Sequence, residues 1–130
     1  MVVACGGGGD GVVESRLAVR FSEWEIGVVA AEVRAGEVTF GLSNEGSLAH
    51  NLVIVKSDLP AGELPVVDGR VEVSKLNVVG GAGPIAPGTP DEEVYEISLS
   101  AGKYVLFCDV VSGGESHYRN GMYVALLVEP

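Results

Sequence analysis

Glycine and proline divide this chain into short apolar segments, and this division limits the folds that the chain can adopt. The 130 residues include 19 glycines and 6 prolines, and no segment shows a long uninterrupted helical period. The segments between them are rich in β-branched and aromatic residues, which favour strands. We therefore predict an all-β protein with a single domain, a β-sandwich of about seven to eight strands.

Eight strands are predicted from apolar runs that end at turn-forming residues. They cover residues 16–21, 24–29, 31–33, 37–43, 49–55, 93–100, 103–110 and 122–129. Turns are expected at 44–46 and 100–102, where asparagine and glycine tolerate a chain reversal. Between these two parts of the chain, the glycine- and proline-rich stretches 80–84 and 86–90 are predicted loops. Residues 70–79 fit either a short helix or an extra strand.

The composition narrows the class of protein. The 18 acidic and 8 basic residues give a formal charge of −10, and no nucleic-acid partner is expected. No run approaches the roughly 18 to 20 apolar residues that a transmembrane helix requires, so we expect a soluble folded body. A chain of 130 residues can bury a core without disulfide bonds.

The N-terminus carries a separate signal. Residues 1–14 are predicted to form a flexible tail ahead of a folded domain at 15–130, because the glycine-rich stretch 6–11 has the composition of a linker. Residues 2–5 resemble a bacterial lipobox, in which the cysteine, here Cys5, is lipidated after a signal peptide is cleaved. The basic and apolar regions of a signal peptide do not precede it in this sequence. A tail with an unreactive Cys5 is therefore the alternative interpretation.

Four side chains that bind soft metals form the most specific signal. Cys108 and His117 are separated by eight residues, and His117 and Met122 by four. A predicted strand lies on each side of this segment, so the three residues should lie at one end of a sheet. His50 falls on the apolar face of a predicted strand, where an imidazole needs a partner. One thiolate, two imidazoles and one thioether suit copper in both of its oxidation states.

Each of these residues has an ordinary structural explanation when it is taken alone. A buried cysteine or methionine is commonly an apolar core residue, and a buried histidine is commonly a hydrogen-bonded one. The set is harder to explain in this way, because every histidine, cysteine and methionine except Met1 and Cys5 belongs to it. A disulfide between Cys5 and Cys108 would consume the thiolate and leave the other three residues unexplained. We therefore predict a site for one copper ion.

The segments 50–51, 101–108 and 117–122 resemble the cupredoxins, the blue copper proteins, and the resemblance extends over most of the chain. It implies a Greek-key β-sandwich. The stretch of eight residues between cysteine and histidine is longer than in small members of the family and is similar to the type 1 sites of copper nitrite reductases. The loop from 109 to 116 is therefore where this chain departs from the family pattern.

The resemblance also implies a role for each site residue. His50, Cys108 and His117 would form the trigonal plane around copper, and Met122 would be the weak axial ligand. Asn51 would tie the two ligand loops together without binding the metal itself. His117 would lie at the protein surface, where the electron leaves.

A small protein with such a site is predicted to carry single electrons between redox proteins. The alternative is a copper storage or delivery module without redox traffic, and the cysteine thiolate favours the first interpretation. A substrate-converting enzyme is not expected, because copper nitrite reductases and multicopper oxidases need further histidine-rich centres. This chain has only 2 histidines, and both belong to the predicted site.

The negative charge also bears on the partner and the location. Its densest stretch contains Asp91, Glu92, Glu93 and Glu96. We expect a basic redox partner, such as a cytochrome c or an oxidase domain, that docks at the edge of His117 beside Tyr118. Solubility is the alternative reason for the acidity. We expect a monomer outside the cytoplasm, in the periplasm or on the outer face of the cell membrane, with a lipid anchor as its only contact with the membrane.

Overall fold

The computed structural model describes residues 14–29 and 33–130, and gives the backbone alone for residues 14 and 89–92. Within these residues, two short 3-10 helices, Ala61–Glu63 and Val73–Lys75, interrupt a sequence of strands and turns. The strands are β1 (Glu14–Ser22), β2 (Glu25–Val29), β3 (Val33–Arg34), β4 (Gly36–Asn44), β5 (His50–Lys56), β6 (Val66–Val67), β7 (Arg70–Val71), β8 (Asn77–Ile85), β9 (Thr89–Leu99), β10 (Gly102–Phe107), β11 (Val111–Ser112), β12 (Glu115–Ser116) and β13 (Tyr123–Glu129).

Nine of these strands form the two sheets of a sandwich. The first sheet has the order β2-β1-β4-β9, and the second has the order β3-β13-β10-β5-β8. Neighbouring strands are antiparallel except for the parallel pairs β1–β4 and β3–β13. The other four strands form two small hairpins, β6–β7 and β11–β12.

The main core lies between the two sheets and follows the period of two that a strand imposes. In β1, the buried residues are Leu17, Val19 and Phe21. The second sheet is buried on both faces around β10, because a smaller apolar cluster that includes Val105 and Phe107 covers its outer side. Side chains alternate along β10, so the side chain of Cys108 points into the main core, on the face of the second sheet that packs against the first sheet.

The predicted all-β sandwich is confirmed, and each predicted strand overlaps an observed one. The strand predicted at 31–33 overlaps β3 only at Val33, since residues 31 and 32 lie outside the described residues. The stretch 70–79, which fitted a helix or a strand, contains β7, a 3-10 helix and the start of β8.

The loop predicted at 80–84 is wrong, because these residues belong to β8. This strand pairs with β5, the strand that begins at His50. At Gly81 an added Cβ would lie 2.5 Å from the carbonyl oxygen of Leu52, so only glycine allows the two backbones to approach this closely. Tertiary pairing thus overrides the low strand propensity of glycine and adds a ninth strand to the predicted seven or eight.

Residues 1–13, including Cys5, lie outside the described residues. The predicted tail, the domain boundary near residue 14 and the lipid anchor therefore remain predictions. Within the described part of the chain, no helix has the length and apolar character needed to cross a membrane.

Asn44 connects the end of the first sheet to the segment that enters the second. Its side chain is fully buried, and its amide nitrogen donates hydrogen bonds to the carbonyl oxygens of Leu48 (2.9 Å) and Ile85 (3.0 Å). Its Oδ1 accepts a hydrogen bond from the backbone N–H of Gly46 (2.9 Å). The turn predicted at 44–46 is thus held by a side chain that pairs three backbone groups next to His50.

We expect Asn44→Ala to lower the free energy of unfolding by at least about 2 kcal/mol, because it removes the partners of three backbone groups in a buried region. Equilibrium denaturation in urea measures this change. The matched control is Asn77→Ala, which makes the same replacement at an exposed position of β8 and should change stability by about 0.5 kcal/mol or less. Equal effects of the two substitutions would contradict this role of Asn44.

Candidate metal centre

Three predicted ligands meet at one end of the second sheet. The Nδ1 atoms of His50 and His117 are 3.1 Å apart, and the Sγ atom of Cys108 lies 3.7 Å from the first nitrogen and 3.5 Å from the second. All three residues have no exposed surface. Three polar donor atoms therefore face one another inside the core.

The size of this triangle fits a metal ion. The point in its plane that is equidistant from the three atoms lies about 2.0 Å from each, close to the roughly 2.0–2.3 Å of metal bonds to imidazole nitrogen and thiolate sulfur. Two imidazoles and a thiolate in a trigonal arrangement are the donor set of blue-copper electron-transfer sites. The residues therefore fit copper in both chemistry and geometry.

The fold brings the ligands together because their strands are neighbours. His50 begins β5, Cys108 directly follows β10, and these strands are antiparallel partners in the sheet. Met122 directly precedes β13, which pairs with the other side of β10. His50, Cys108 and Met122 thus lie at the same end of three adjacent strands, and His117 lies in the segment that connects β10 to β13.

Met122 is fully buried in the same core cluster as Cys108. Its carbonyl oxygen accepts a hydrogen bond from the N–H of Cys108 (3.1 Å), and its own N–H donates to the carbonyl oxygen of His117 (3.1 Å). The backbone of Met122 is therefore fixed to the two ligands that share its loop.

Asn51 connects the strand that carries His50 to the segment that follows Cys108. Its Oδ1 accepts a hydrogen bond from the N–H of Asp109 (2.8 Å), and its own backbone N–H donates to Cys108 Sγ (3.4 Å). Such contacts orient ligands and tune the metal that they bind. Asn51 thus occupies the position between the ligand segments that the cupredoxin resemblance implies.

The long segment between Cys108 and His117 forms the β11–β12 hairpin. Its turn consists of Gly113 and Gly114, whose φ angles of 58° and 80° lie in the left-handed region that glycine adopts without strain. The hairpin places Ser112 Oγ 2.8 Å from Nε2 of His117. The additional residues therefore cover the histidine that follows them.

The prediction that His117 lies at the surface is wrong, because this residue has no exposed surface. Tyr118 is also buried. Its hydroxyl donates to the carbonyl oxygen of Ala61 (2.6 Å) and accepts from the N–H of Leu64 (3.0 Å). The predicted docking contact at the edge of His117 beside Tyr118 is therefore wrong in its location.

Sequence reasoning missed Glu23, which lies in the turn between β1 and β2. Its Oε2 accepts a hydrogen bond from His50 Nε2 (2.6 Å), and its carboxylate also accepts from the N–H groups of Ser47 (2.8 Å) and Leu48 (3.3 Å). A side chain at Gly46 would collide with this carboxylate. No pattern in the sequence marks Glu23, because its contacts come from a loop more than twenty positions away.

The hydrogen bonds to Glu23 hold its carboxylate in the ionised form. The N–H of Ser47 contributes most to lowering its pKa, burial opposes this shift, and His50 and the N–H of Leu48 add to it. A carboxylate can only accept in this hydrogen bond, so His50 carries a hydrogen on Nε2, and its Nδ1 atom faces the other ligands. Glu23 therefore orients the imidazole as carboxylates do behind metal-bound histidines.

Burial keeps the other two ligands uncharged. It lowers the pKa of His117, an effect that the nearby His50 reinforces and Glu23 opposes. Burial also raises the pKa of the Cys108 thiol, while hydrogen bonds from the N–H groups of Asn51 and Val110 act in the opposite direction. Metal binding by such a thiol releases a proton.

The family described as Sulfocyanin (SoxE) domain matches residues 20–130 of this chain. The chain belongs to the sulfocyanin family. It is therefore a cupredoxin, a member of a family whose proteins bind one copper ion and transfer electrons. A search among curated protein sequences found no match.

Solved structures of other cupredoxins are similar to this sulfocyanin-family chain in fold. Rusticyanin from Thiobacillus ferrooxidans is 16% identical with a TM-score of 0.62, and the match covers 89% of this chain and 77% of rusticyanin. Auracyanin from the photosynthetic bacterium Roseiflexus castenholzii is 20% identical with a TM-score of 0.56, and the match covers 92% of this chain and 100% of auracyanin. The predictions of a cupredoxin fold, a single copper ion and single-electron transfer are confirmed.

In the copper-loaded cupredoxin, we expect Glu23→Gln to raise the reduction potential and to lower Cu(II) affinity about 10- to 100-fold. The substitution removes a negative charge that favours the more highly charged Cu(II), and an amide has one acceptor oxygen instead of two. Protein-film voltammetry and competition with a chelator measure the two effects. The matched control is Glu25→Gln, which removes the same charge at an exposed position two residues away. Equal changes in both variants would show that net charge alone is responsible.

Proposed function

We propose that this protein is a type 1 copper electron carrier in which His50, Cys108 and His117 would be the principal ligands of the copper ion and Met122 would be a weaker fourth ligand. The observation that carries this assignment is the buried triangle of two Nδ1 atoms and one Sγ atom with sides of 3.1, 3.5 and 3.7 Å. When bound, copper supplies the one-electron cycle between Cu(I) and Cu(II).

The protein's contribution is to hold the ligands still and to exclude water. Glu23 and Ser112 fix the outer nitrogens of the two imidazoles, and the hydrogen bonds of Asn51 and Met122 fix the backbone around Cys108. Rapid electron transfer requires that little rearranges when the charge of the centre changes. Buried ligands that are held by hydrogen bonds to the ring or to the adjacent backbone satisfy this requirement.

Storage or delivery of copper is the second candidate function, and the burial of the site argues against it. A protein that hands over its metal needs ligands that a recipient can reach. Here His50, Cys108 and His117 have no exposed surface, and the β11–β12 hairpin covers the last of them. Electron transfer needs no such access, because an electron can tunnel through a layer of protein, whereas a metal ion needs an open route.

We also propose that the protein converts no substrate. The chain contains 2 histidines, and both are assigned to the proposed site, so the chain offers no histidines for a second copper centre. A substrate would also need an open coordination position, whereas the proposed copper ligands lie in the closed core.

For the location, we propose the extracytoplasmic side of the cell, in the periplasm or on the outer face of the membrane. The support is the lipobox-like motif that ends at Cys5, which would attach the domain to the membrane through a lipid on a glycine-rich tail. The protein would act as a monomer in this position.

The redox partner is proposed to be basic, as a cytochrome c or a basic oxidase domain is. The formal charge of −10 supports this assignment. Glu93 and Glu96 are exposed on β9, which is an edge strand of the first sheet, so they are available to steer an approaching cation. Charged residues also protect edge strands from pairing with other chains, which is a second reason for their presence there.

We expect Cu(II) to bind in a one-to-one ratio and to produce an intense visible charge-transfer band from the Cys108 sulfur. Titration followed by absorption and paramagnetic resonance spectroscopy measures both properties. Cys108→Ser should abolish the band, whereas the matched control Cys5→Ser should keep it, because Cys5 is not assigned to the site. Colourless protein after copper loading, with the thiol verified as reduced, would contradict the proposed function.

We expect the bimolecular rate of electron transfer to a basic cytochrome c to fall as salt is added. The Debye length shortens from about 10 Å at 0.1 M to about 3 Å at 1 M ionic strength, so steering by exposed carboxylates weakens. Stopped-flow mixing at increasing salt measures the rate, with an uncharged redox reagent as the control that should show little dependence. A flat or rising rate with cytochrome c would eliminate electrostatic steering.

A further inference from the structure

The covered site poses a problem for electron transfer, because none of its ligands reaches the surface. His50, Cys108, His117 and Met122 all have no exposed surface. Nε2 of His117, the ring nitrogen outside the triangle of donor atoms, is hydrogen-bonded to the hydroxyl of Ser112. An electron must therefore cross at least one further residue. The rate of electron transfer falls steeply as this path becomes longer, and it also depends on whether the path crosses bonds, hydrogen bonds or open space.

The aromatic rings that contact the ligands define two directions away from the site. His50 stacks on Phe21 with ring centroids 5.9 Å apart, and Phe21 is fully buried in the core. His117 packs against the ring of Trp24 in a T-shaped contact with centroids 5.0 Å apart. Trp24 is partly exposed, so among the ring contacts of the described residues this one leads from a ligand toward solvent.

We propose that Trp24 is the point at which electrons enter and leave this protein, the place that an exposed histidine ligand was expected to take. This proposal rests on the proposed copper site. The indole lies between His117 and the partner and shortens the gap that the electron crosses through space. It is neither oxidised nor reduced, and no bond or proton is transferred.

The surroundings of Trp24 fit a partner with a basic rim. Glu25 follows it directly and is exposed, and Glu115 is exposed on the hairpin strand that pairs with Ser112. Glu23 on its other side is held by His50 and the loop at 47–48, which fixes the backbone that leads into Trp24. The proposed exit is therefore a partly exposed ring next to the carboxylate of Glu25, and the hairpin that contacts His117 carries a second exposed carboxylate.

The competing path runs through Ser112. This residue is also partly exposed, and its hydroxyl contacts His117. This path crosses a hydrogen bond into a two-residue strand instead of a conjugated ring. Two substitutions separate the paths, because Trp24→Leu removes the ring and leaves the hydrogen bond, whereas Ser112→Ala does the reverse.

The experiment measures reduction of the copper-loaded protein by hexaammineruthenium(II), in which Ru(II) gives one electron to Cu(II) and yields Ru(III) and Cu(I). We expect Trp24→Leu to lower the second-order rate constant about tenfold or more, within the range that single substitutions at one contact surface produce. Ser112→Ala, which removes the hydrogen bond to His117, should lower the rate constant less than Trp24→Leu does, and the control Tyr95→Leu, which removes a partly exposed ring that is tilted against Phe40, should stay within about twofold of wild type. An unchanged rate in Trp24→Leu, or the whole loss in Ser112→Ala, would overturn the proposal.

A second measurement uses wild-type protein and does not depend on the folding of a variant. Trp24 is the only tryptophan in the chain, so its fluorescence reports on this position alone. Cu(II) loading should quench the emission strongly, and acrylamide should quench it in the metal-free protein, because the ring is both in contact with a ligand and partly exposed. The proposal would be overturned if either Cu(II) or acrylamide failed to quench the emission. A protein that remains colourless with Cu(II) would instead refute the copper site itself.

Discussion

The packing of three polar donor atoms within 3.7 Å of one another in an apolar core is the constraint on which the rest of this structure depends. Buried polar groups are costly unless each has a partner. The two imidazoles satisfy this requirement on both sides, since their Nδ1 atoms face each other and Cys108 while their Nε2 atoms bond to Glu23 and Ser112. The turn before β2 and the β11–β12 hairpin therefore belong to the site as much as the ligand strands do.

The sandwich and its ligands could be predicted from the sequence because short patterns of neighbouring residues indicate both. Apolar runs mark the strands, and the order of His50, Cys108, His117 and Met122 marks the family. β8 could not be found in this way, because its glycines form a strand only by close approach to the backbone of Leu52. Propensity describes the segment alone, whereas the pairing depends on what lies beside it.

The site was predictable in its members but not in its surroundings. The extra length between Cys108 and His117 was visible, but the hairpin that it forms and the burial of His117 follow from contacts with Ser112 and the rest of the fold. Glu23 was invisible, since a carboxylate in a short turn has no periodic or spacing signal. The hydrogen bonds to Ser112 and Glu23, and not the ligand motif, decide that His117 is paired with a neutral hydroxyl and that His50 has a charged partner.

The two imidazoles differ in the groups that contact them. His50 is held by an anionic carboxylate within the body of the sandwich, and a charge at this position acts on the relative stability of the two oxidation states. His117 is held by a neutral hydroxyl on a hairpin and lies against Trp24 at the surface. Changes in the hairpin can therefore alter how an electron reaches the site, while the charge that sets its energy stays at Glu23. Because Glu23 and Trp24 are adjacent in the turn between β1 and β2, this one turn contacts both imidazoles, and a substitution in it can change the potential and the access of an electron together.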